Sequence, residues 1–236
     1  MIYKKASHVG VILSFVIFIT FIIFLYSAIE PMTKVQRGKQ DLVKYLKTAL
    51  INEFKENLTS VSIAIKDSVS SFCVKINSFE DTEENTIVKN IENNEVLSSY
   101  LKDNKINIKR NQAQNIKIYY SKEFPKEDSF SCNYELSEDD YTLGSIRTTK
   151  EIFKSKIINL TEFINEGDSN YNEIKKQLKI PPGSEFGFSF EDSEKKEIAK
   201  TKEKNISTNI YVEEIPIQYI DSEANINPGF LRIRVW

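Results

Sequence analysis

The chain has 236 residues, with 32 lysines and arginines against 34 acidic residues and a formal net charge of −2. Because basic and acidic residues are interspersed instead of forming a basic face, this composition argues against a nucleic-acid partner. His8 is the only histidine, which argues against Ser-His-Asp or Cys-His catalysis and against a histidine–cysteine zinc site in the remainder of the chain. We therefore expect no enzymatic activity and no cofactor.

The most apolar part of the chain lies near its amino terminus. The 21 residues from Val9 to Ile29 contain no charged side chain, and as a helix they span roughly 31 Å at ~1.5 Å per residue, close to the ~30 Å of a bilayer core. This stretch predicts a transmembrane helix in contact with lipid. The residues expected to anchor it are Val9, Gly10, Val11, Ile12, Leu13, Phe15, Ile17, Phe18, Phe21, Ile22, Ile23, Phe24 and Leu25.

Two other interpretations of this stretch remain open. Lys4 and Lys5 with the small residues Ser27 and Ala28 are also typical of a cleavable signal peptide, although the apolar regions of such peptides usually have only about 7 to 15 residues. A buried core helix normally carries a polar stripe that is absent here. Later apolar segments are short and interrupted, so we predict a single-pass protein of the cell membrane.

The side of the membrane on which the remaining chain lies is predicted from its cysteines. Cys73 and Cys132 are the only two, and both lie in strand-like surroundings. In an oxidising compartment they can form a disulfide, which favours an extracytoplasmic body, whereas two separate buried thiols are the alternative. Sequons at Asn57, Asn159 and Asn205 match the pattern for glycosylation and agree with this location.

The domain organisation is predicted from changes in periodicity. Residues 1–6 form a basic leader, 7–30 the transmembrane helix, 31–58 a stalk helix and 59–236 an extracytoplasmic α+β head of antiparallel strands with one or two helices. The stalk is predicted because apolar residues recur at helical spacing from Val35 to Phe54. Pro31 is expected to kink or break the helix at the membrane surface.

The first half of the head is predicted to be strands, because apolar and polar residues alternate there with a period of two. A turn near Asp67-Ser68 is expected to join the first two strands, and Asn111–Gln114 is a candidate hairpin loop. The predicted strands cover residues 60–65, 72–76, 86–91, 96–101, 105–110, 115–120, 130–136 and 141–149.

The second half combines helices and strands. Helical spacing predicts a helix over Glu151–Asn165 and a second one, capped by Asn170, that stops before Pro181. Asn227–Gly229 is expected to form a turn, and Gly187 to mark a bulge or a close backbone approach. The remaining predicted strands cover residues 185–191, 206–212, 214–220 and 230–236.

Clusters of carboxylates and aromatic residues offer weaker functional hypotheses. Acidic residues at 80–84 and 138–140 are expected to be solvated loops, since the spacing of a calcium-binding EF-hand is absent. A hydrolase using two carboxylates is permitted by composition, but no residue pair identifies it. The aromatic runs Tyr119-Tyr120 and Phe186, Phe188 and Phe190 are expected to pack in the core, or to form a binding surface if they are exposed.

The amino terminus resembles that of archaeal type IV pilin-like proteins, in which a basic leader and a small residue precede a long hydrophobic helix. The matching residues are Lys4, Lys5, Ala6, Ser7, Val9, Gly10, Val11, Ile12 and Leu13. The resemblance implies cleavage by a prepilin peptidase between Ala6 and Ser7, and packing of the helices of like or unlike subunits into a filament core. His8 stands where the family has proline, and the early glutamate of the family is missing.

These observations lead to one preferred function and one alternative. The preferred function is a non-enzymatic, membrane-anchored cell-surface subunit, pilin-like and more consistent with a minor pilin, that serves filament assembly or adhesion. The alternative is a permanently anchored single-pass protein whose head binds a protein or glycan partner without polymerising.

Overall fold

The computed structural model describes residues 5–79, 84–202 and 210–236, with the backbone alone for residues 5–8 and 28–37. This part of the chain is an α+β fold, as the sequence predicts. Its helices are α1 (Lys5–Glu53), α2 (Lys154–Glu166) and α3 (Asp168–Gln177), with a 3₁₀ turn at Glu138–Asp140. Its strands are β1 (Lys55–Ile65), β2 (Cys73–Asn77), β3 (Asn85–Asn90), β4 (Val96–Leu97), β5 (Ser99–Lys102), β6 (Lys105–Lys109), β7 (Asn115–Ser121), β8 (Tyr134–Glu135), β9 (Tyr141–Ile152), β10 (Phe186–Asp192), β11 (Glu197–Lys200), β12 (Tyr211–Ile220) and β13 (Ile226–Val235).

Helix α1 runs without interruption from the apolar segment into the body. The expected break at Pro31 is absent, because one proline removes only one hydrogen bond from a helix of 49 residues. Helix α1 ends at Glu53 because the chain then enters strand β1 at Lys55, earlier than the predicted end of the stalk at residue 58. The apolar residues of its last turns face the body.

The strands form three sheets in the described part of the chain. Sheet 1 has the order β4-β3-β7-β1-β9, sheet 2 the order β5-β6-β2-β8, and sheet 3 the order β11-β10-β13-β12. The pairs between named strands are antiparallel, as predicted, except for a short parallel pair between β2 and β8. A parallel bridge between Phe153 and Ile220 connects the end of β9 to the end of β12.

Two large cores and one small cluster stabilise this arrangement. The first core joins sheet 3 to α1, α2 and α3, and includes Leu46, Leu50 and Phe54, whose side chains are fully buried. The second core lies between sheets 1 and 2. A smaller cluster that includes Phe124 and Phe153 combines residues of sheet 1, such as Leu58, with Ile220 of sheet 3. Residues 42–54 of the predicted stalk therefore belong to the core of the body, because their apolar stripe packs on sheet 3.

The predicted hairpin at Asn111–Gln114 is wrong. Strand β6 pairs with β2 and β5 in sheet 2, whereas β7 pairs with β1 and β3 in sheet 1. The loop carries the chain from one sheet to the other, with Asn111 and Gln112 in the left-handed region. Alternation predicted both strands correctly, but it does not specify which strands pair.

The helices α2 and α3 are present, but their starts differ from the predictions. Glu151 and Ile152 belong to β9, where they pair with the start of β1, so α2 begins only at Lys154. The amino-terminal cap of α3 is Gly167 and not Asn170. Asn170 lies inside α3, and its side-chain amide donates to the carbonyl oxygen of Phe163 at 3.0 Å, which ties α3 to α2.

Two glycines of sheet 3 serve close packing. Asn227–Gly229 is not a turn, since these residues pair with β12, and the turn lies at 221–225. A Cβ on Gly229 would lie 2.8 Å from the carbonyl oxygen of Glu191. A Cβ on Gly187 would lie 2.8 Å from Oγ1 of Thr201. The register of β10 with β13 is regular at this residue, so of the two predicted roles of Gly187 the structure shows a close approach and not a bulge.

The other strand predictions differ in detail. Strands β4 and β5 divide the predicted strand 96–101, and only Tyr134–Glu135 of the predicted strand 130–136 is extended in a sheet. Strand β11 was not predicted, and β12 continues through residue 213, where two strands had been expected. Residues 206–209 of the predicted strand 206–212 lie outside the described residues, as do residues 80–83 of the first acidic cluster.

Candidate functional site

The apolar segment of α1 projects from the body with every described side chain exposed. The described residues contain one helix long and apolar enough to cross a membrane, and its apolar segment is Val9–Ser27. The segment is 19 residues long, which corresponds to about 28 Å of helix. None of this segment is buried against the body, so it is not a core helix of this chain, and its length and composition are compatible with a membrane anchor or a signal sequence.

The anchor residues predicted from the sequence all lie on this exposed segment, on every side of the helix. Val9, Phe15 and Phe24 are each more than 60 % exposed. The hydroxyl of Thr20 donates to the carbonyl oxygens of Val16 at 3.0 Å and Ile17 at 2.9 Å, so this polar group is satisfied within the helix itself. Such a surface is suited to an apolar environment, because it presents side-chain hydrocarbon and satisfied backbone groups.

The body holds α1 through a lysine that follows the apolar segment. Nζ of Lys39 donates to Oγ of Ser184 and to the carbonyl oxygen of Trp236, both at 2.9 Å. Burial lowers the pKa of Lys39, although the nearby Glu185 carboxylate opposes this shift. With a rise of ~1.5 Å per residue, Lys39 lies roughly 18 Å beyond Ser27 along the helix.

The two cysteines form a disulfide, as predicted. Cys73 lies on β2 and Cys132 on an irregular segment, with a sequence separation of 59 residues. The backbone N–H of Cys132 also donates to Oδ1 of Asn107 at 2.9 Å. The disulfide and this hydrogen bond fasten the segment 129–132 to the outer face of sheet 2.

Two adjoining clefts lie on either side of this segment. The larger, of about 740 Å³, separates β5 from residues 125–129. The smaller, of about 520 Å³, lies over the outer face of sheet 2 and is called the lysine groove here. It is lined by Lys75, Tyr100, Lys102, Asp103, Lys105, Asn107 and residues 129–131.

The described residues of the predicted processing and glycosylation sites lie on three different elements. Ala6 and Ser7 lie within the helical backbone of α1, and Asn205 lies outside the described residues. Asn57 and Asn159 are exposed on β1 and α2. The hydroxyls of their sequons, Thr59 and Thr161, are buried and hydrogen-bonded to Thr148 and to the carbonyl of Ile157.

The acidic and aromatic hypotheses have different outcomes. No group of three or more metal-ligating side chains occurs among the described residues. Asp140 of the second acidic cluster accepts hydrogen bonds from the backbone and hydroxyl of Ser137, which lower its pKa. The aromatic runs pack in the core, as expected, and do not form the alternative binding surface: Phe186, Phe188 and Phe190 are buried, and Tyr119 packs on a core cluster. Tyr120 is fully buried as well.

Lys39 and the aromatic pair of the lysine groove, Tyr100 and Phe130, were not predicted from the sequence as functional residues. Tyr100 lies in the predicted strand 96–101, where its alternation with Leu101 was the available sequence signal for the face of the sheet on which it lies. Phe130 begins the predicted strand 130–136, but the structure has no strand there, so the predicted alternation did not identify the position of its ring.

Comparisons of the chain with models of protein families, with curated proteins and with solved structures return no match.

Proposed function

We propose that this chain is a non-enzymatic cell-surface protein anchored in the membrane by the segment Val9–Ser27, with its body outside the cytoplasm. The observation that carries this proposal is the complete exposure of a 19-residue apolar helix. In water such a surface is strongly unfavourable, whereas in lipid it is favourable and its length matches the bilayer core.

The location outside the cytoplasm is supported by the Cys73–Cys132 disulfide. Disulfides persist in oxidising compartments and are rare in reducing ones. A body held by a bond between β2 and a segment 59 residues away is suited to an environment in which thiols are oxidised.

We further propose that the chain is a pilin-like subunit, more consistent with a minor pilin, that acts in filament assembly or adhesion. This proposal is supported by α1, in which one helix joins an exposed apolar half to a half packed on sheet 3. Apolar helices of like or unlike subunits can leave lipid and bundle, and a repeated head-to-tail contact generates an open filament.

The alternative is a permanent anchor whose body binds a protein or glycan partner without polymerising. The clefts beside the disulfide favour this alternative, because they provide a concave polar surface that filament packing does not require.

Membrane fractionation tests anchoring. We expect the full-length protein to stay with membranes after an alkaline wash and to be released by detergent. Recovery as a dispersed monomer without detergent would contradict the anchor, and a mature chain beginning near Ala28 would identify the segment as a cleaved signal peptide.

Mass spectrometry of the mature amino terminus separates the two functions. A chain beginning at Ser7 supports processing by a prepilin peptidase, whereas an intact Met1 supports the permanent anchor.

Alkylation of native protein without reductant tests the compartment: we expect no labelling of Cys73 or Cys132, and two labelled thiols would contradict an oxidising location.

A further inference from the structure

The lysine groove is built on the outer face of sheet 2. In β6, Ile106 and Ile108 face the core, so Lys105, Asn107 and Lys109 face outward. The register places Tyr100 and Lys75 on either side of Asn107, and Lys102 directly opposite Lys105. This face therefore presents a cluster of lysines and a tyrosine.

The segment 129–132 forms the other wall of the groove. It is held by the Cys73–Cys132 disulfide and by the hydrogen bond to Asn107. The ring centroid of Phe130 lies 6.4 Å from that of Tyr100, at an interplanar angle of 42°. Nζ of Lys109 lies 4.6 Å from the centroid of Phe130, a cation–π contact that orients the ring. Both aromatic rings are therefore positioned before any ligand binds.

The lysines of the groove are incompletely paired. Lys105 forms an ion pair with Glu135 at 2.6 Å, which holds the pKa of Glu135 below its usual range. Within the described residues, Lys75 and Lys102 have no carboxylate within 4.0 Å. Lys102 opposite Lys105 is a like-charge pair, an arrangement that is locally unfavourable. The groove is lined by Lys75, Lys102 and Lys105 against the single carboxylate of Asp103, and Glu135 lies beside it, so the groove carries a local excess of positive charge in a chain with a net charge of −2.

We propose that the lysine groove binds a short oligosaccharide that carries carboxylates. Lys75 and Lys102 pair with the carboxylates, and Tyr100 and Phe130 pack against the C–H faces of the sugar rings. Ser129 and Ser131 supply hydroxyls for hydrogen bonds to sugar hydroxyls. The groove volume of about 520 Å³ lies within the usual range for small-ligand sites.

The adjoining cleft limits the ligand to a short chain with separated charges. Glu127 and Asp128 line this cleft, next to the lysine groove. The Glu127 carboxylate accepts a hydrogen bond from the backbone N–H of Ser99 at 2.9 Å. A long polyanion such as a nucleic acid would meet these carboxylates and be repelled. A sugar chain carries neutral hydroxyls between its carboxylates and avoids this repulsion.

Titration of the full-length protein in nonionic detergent with tetragalacturonic acid tests the proposal, which is independent of membrane anchoring. We expect saturable binding, and a loss of about tenfold or more in affinity for both Lys75→Glu and Lys102→Glu. Lys196→Glu, which makes the same charge change at an exposed site on the turn before β11, is the matched control and should bind like the original protein. The fully methyl-esterified tetramer, with the same sugars and no charge, should bind about tenfold more weakly or worse.

The aromatic contribution is tested with Tyr100. Tyr100→Phe should retain binding and Tyr100→Ala should lose it, with circular dichroism confirming that both remain folded. The absence of binding, an equal loss in Lys196→Glu, or equal affinity for the methyl ester would overturn the proposal. Equally tight binding of tetraglutamate would overturn its assignment to a sugar. Because membrane fractionation is measured separately, these failures are distinguishable from a failure of the anchor.

Discussion

Arg110 is a buried cation that stabilises the body through backbone carbonyls. It is 4 % exposed, and its guanidinium donates to the carbonyl oxygens of Ser71 at 2.7 Å, Ala113 at 3.0 Å and Val69. Burial lowers the pKa of the guanidinium. These bonds satisfy irregular backbone in both connections between sheets 1 and 2, the one from β1 to β2 and the one from β6 to β7.

We expect Arg110→Met to lower the free energy of unfolding by about 3 kcal/mol, because it leaves buried carbonyls without donors. Denaturant unfolding of the full-length protein in detergent measures this change. Arg147→Met, at an exposed position of β9, is the control and should change stability by less than about 0.5 kcal/mol. Equal stability of the two variants would contradict the role of Arg110.

Asp221 organises the turn before β13. Its carboxylate accepts hydrogen bonds from the backbone N–H groups of Glu223 and Asn225 and from the side-chain amides of Asn225 and Asn227, at 2.8 to 3.0 Å. Burial raises the pKa of Asp221, but the hydrogen bonds together outweigh this effect and the pKa is lowered. Nζ of the buried Lys89 donates to Oδ1 of Asn225 at 2.5 Å, which extends the network to sheet 1.

A lowered pKa in the folded state means that ionised Asp221 contributes stability above the unfolded pKa of about 3.9, and that this contribution is lost as the pH falls through the folded pKa. We expect Asp221→Asn to cost about 1–2 kcal/mol at pH 7, allowing for partial solvent screening, and less as the pH approaches 3. Melting temperatures of both proteins between pH 7 and pH 3 measure this convergence. The exposed Asp139→Asn serves as control, and a pH-independent difference for Asp221→Asn would argue against the mechanism.

At the scale of elements, strand β10 is a central strand whose spacing depends on a glycine. Gly187 faces Thr201, whose hydroxyl accepts from the backbone N–H of Phe188 at 3.0 Å. A side chain at residue 187 must displace this hydroxyl or the ring of Trp236, which lies 3.5 Å from the Cβ position. The sequence marked Gly187 as unusual, but the cause lies on a segment 14 residues later.

We expect Gly187→Ala to destabilise the protein by about 1–3 kcal/mol through overpacking. In the double variant with Thr201→Ala, the added methyl group has space, so the cost of Gly187→Ala should fall. Thermal unfolding of the four proteins of the cycle gives the coupling energy. Gly38→Ala, where no atom lies within 4 Å of the added carbon, should be neutral or stabilising, and strict additivity in the cycle would contradict the proposed contact.

The positions of the strands were largely predictable from the sequence, whereas the pairing of one strand with another was not. The residues of β1, β2, β6 and β7 alternate clearly, and each was predicted as a strand within a few residues. Alternation encodes which face of a strand is apolar, but two sheets that share one core present the same pattern. Sequence neighbours β6 and β7 therefore appeared to be a hairpin although they lie in opposite sheets.

At the scale of the whole molecule, α1 belongs to two environments. The segment Val9–Ser27 is exposed, whereas Leu46, Leu50 and Phe54, in and just after the last turns of α1, are fully buried against the body. Truncations that remove one or both of these parts of α1 are therefore expected to have different effects on folding.

We expect a variant that begins at Gly38 to be folded and soluble without detergent, because it keeps the buried turns and loses the apolar segment. A variant that begins at Lys55 should be unfolded, because each lost core side chain costs about 2–5 kcal/mol and a domain has only about 5–15 kcal/mol in total. Circular dichroism and gel filtration measure both properties. A folded variant beginning at Lys55 would contradict the assignment of α1 to the core.

By itself, the sequence determined the apolar helix, the α+β class, most strand positions and the presence of two cysteines able to pair, because each depends on local composition or periodicity. Only the tertiary structure decided that α1 completes a core, that β6 and β7 lie in different sheets, and that Tyr100, Phe130 and the lysines meet in one groove. The physical reason is that burial and pairing depend on contacts between residues far apart in the chain, which local patterns permit but do not specify.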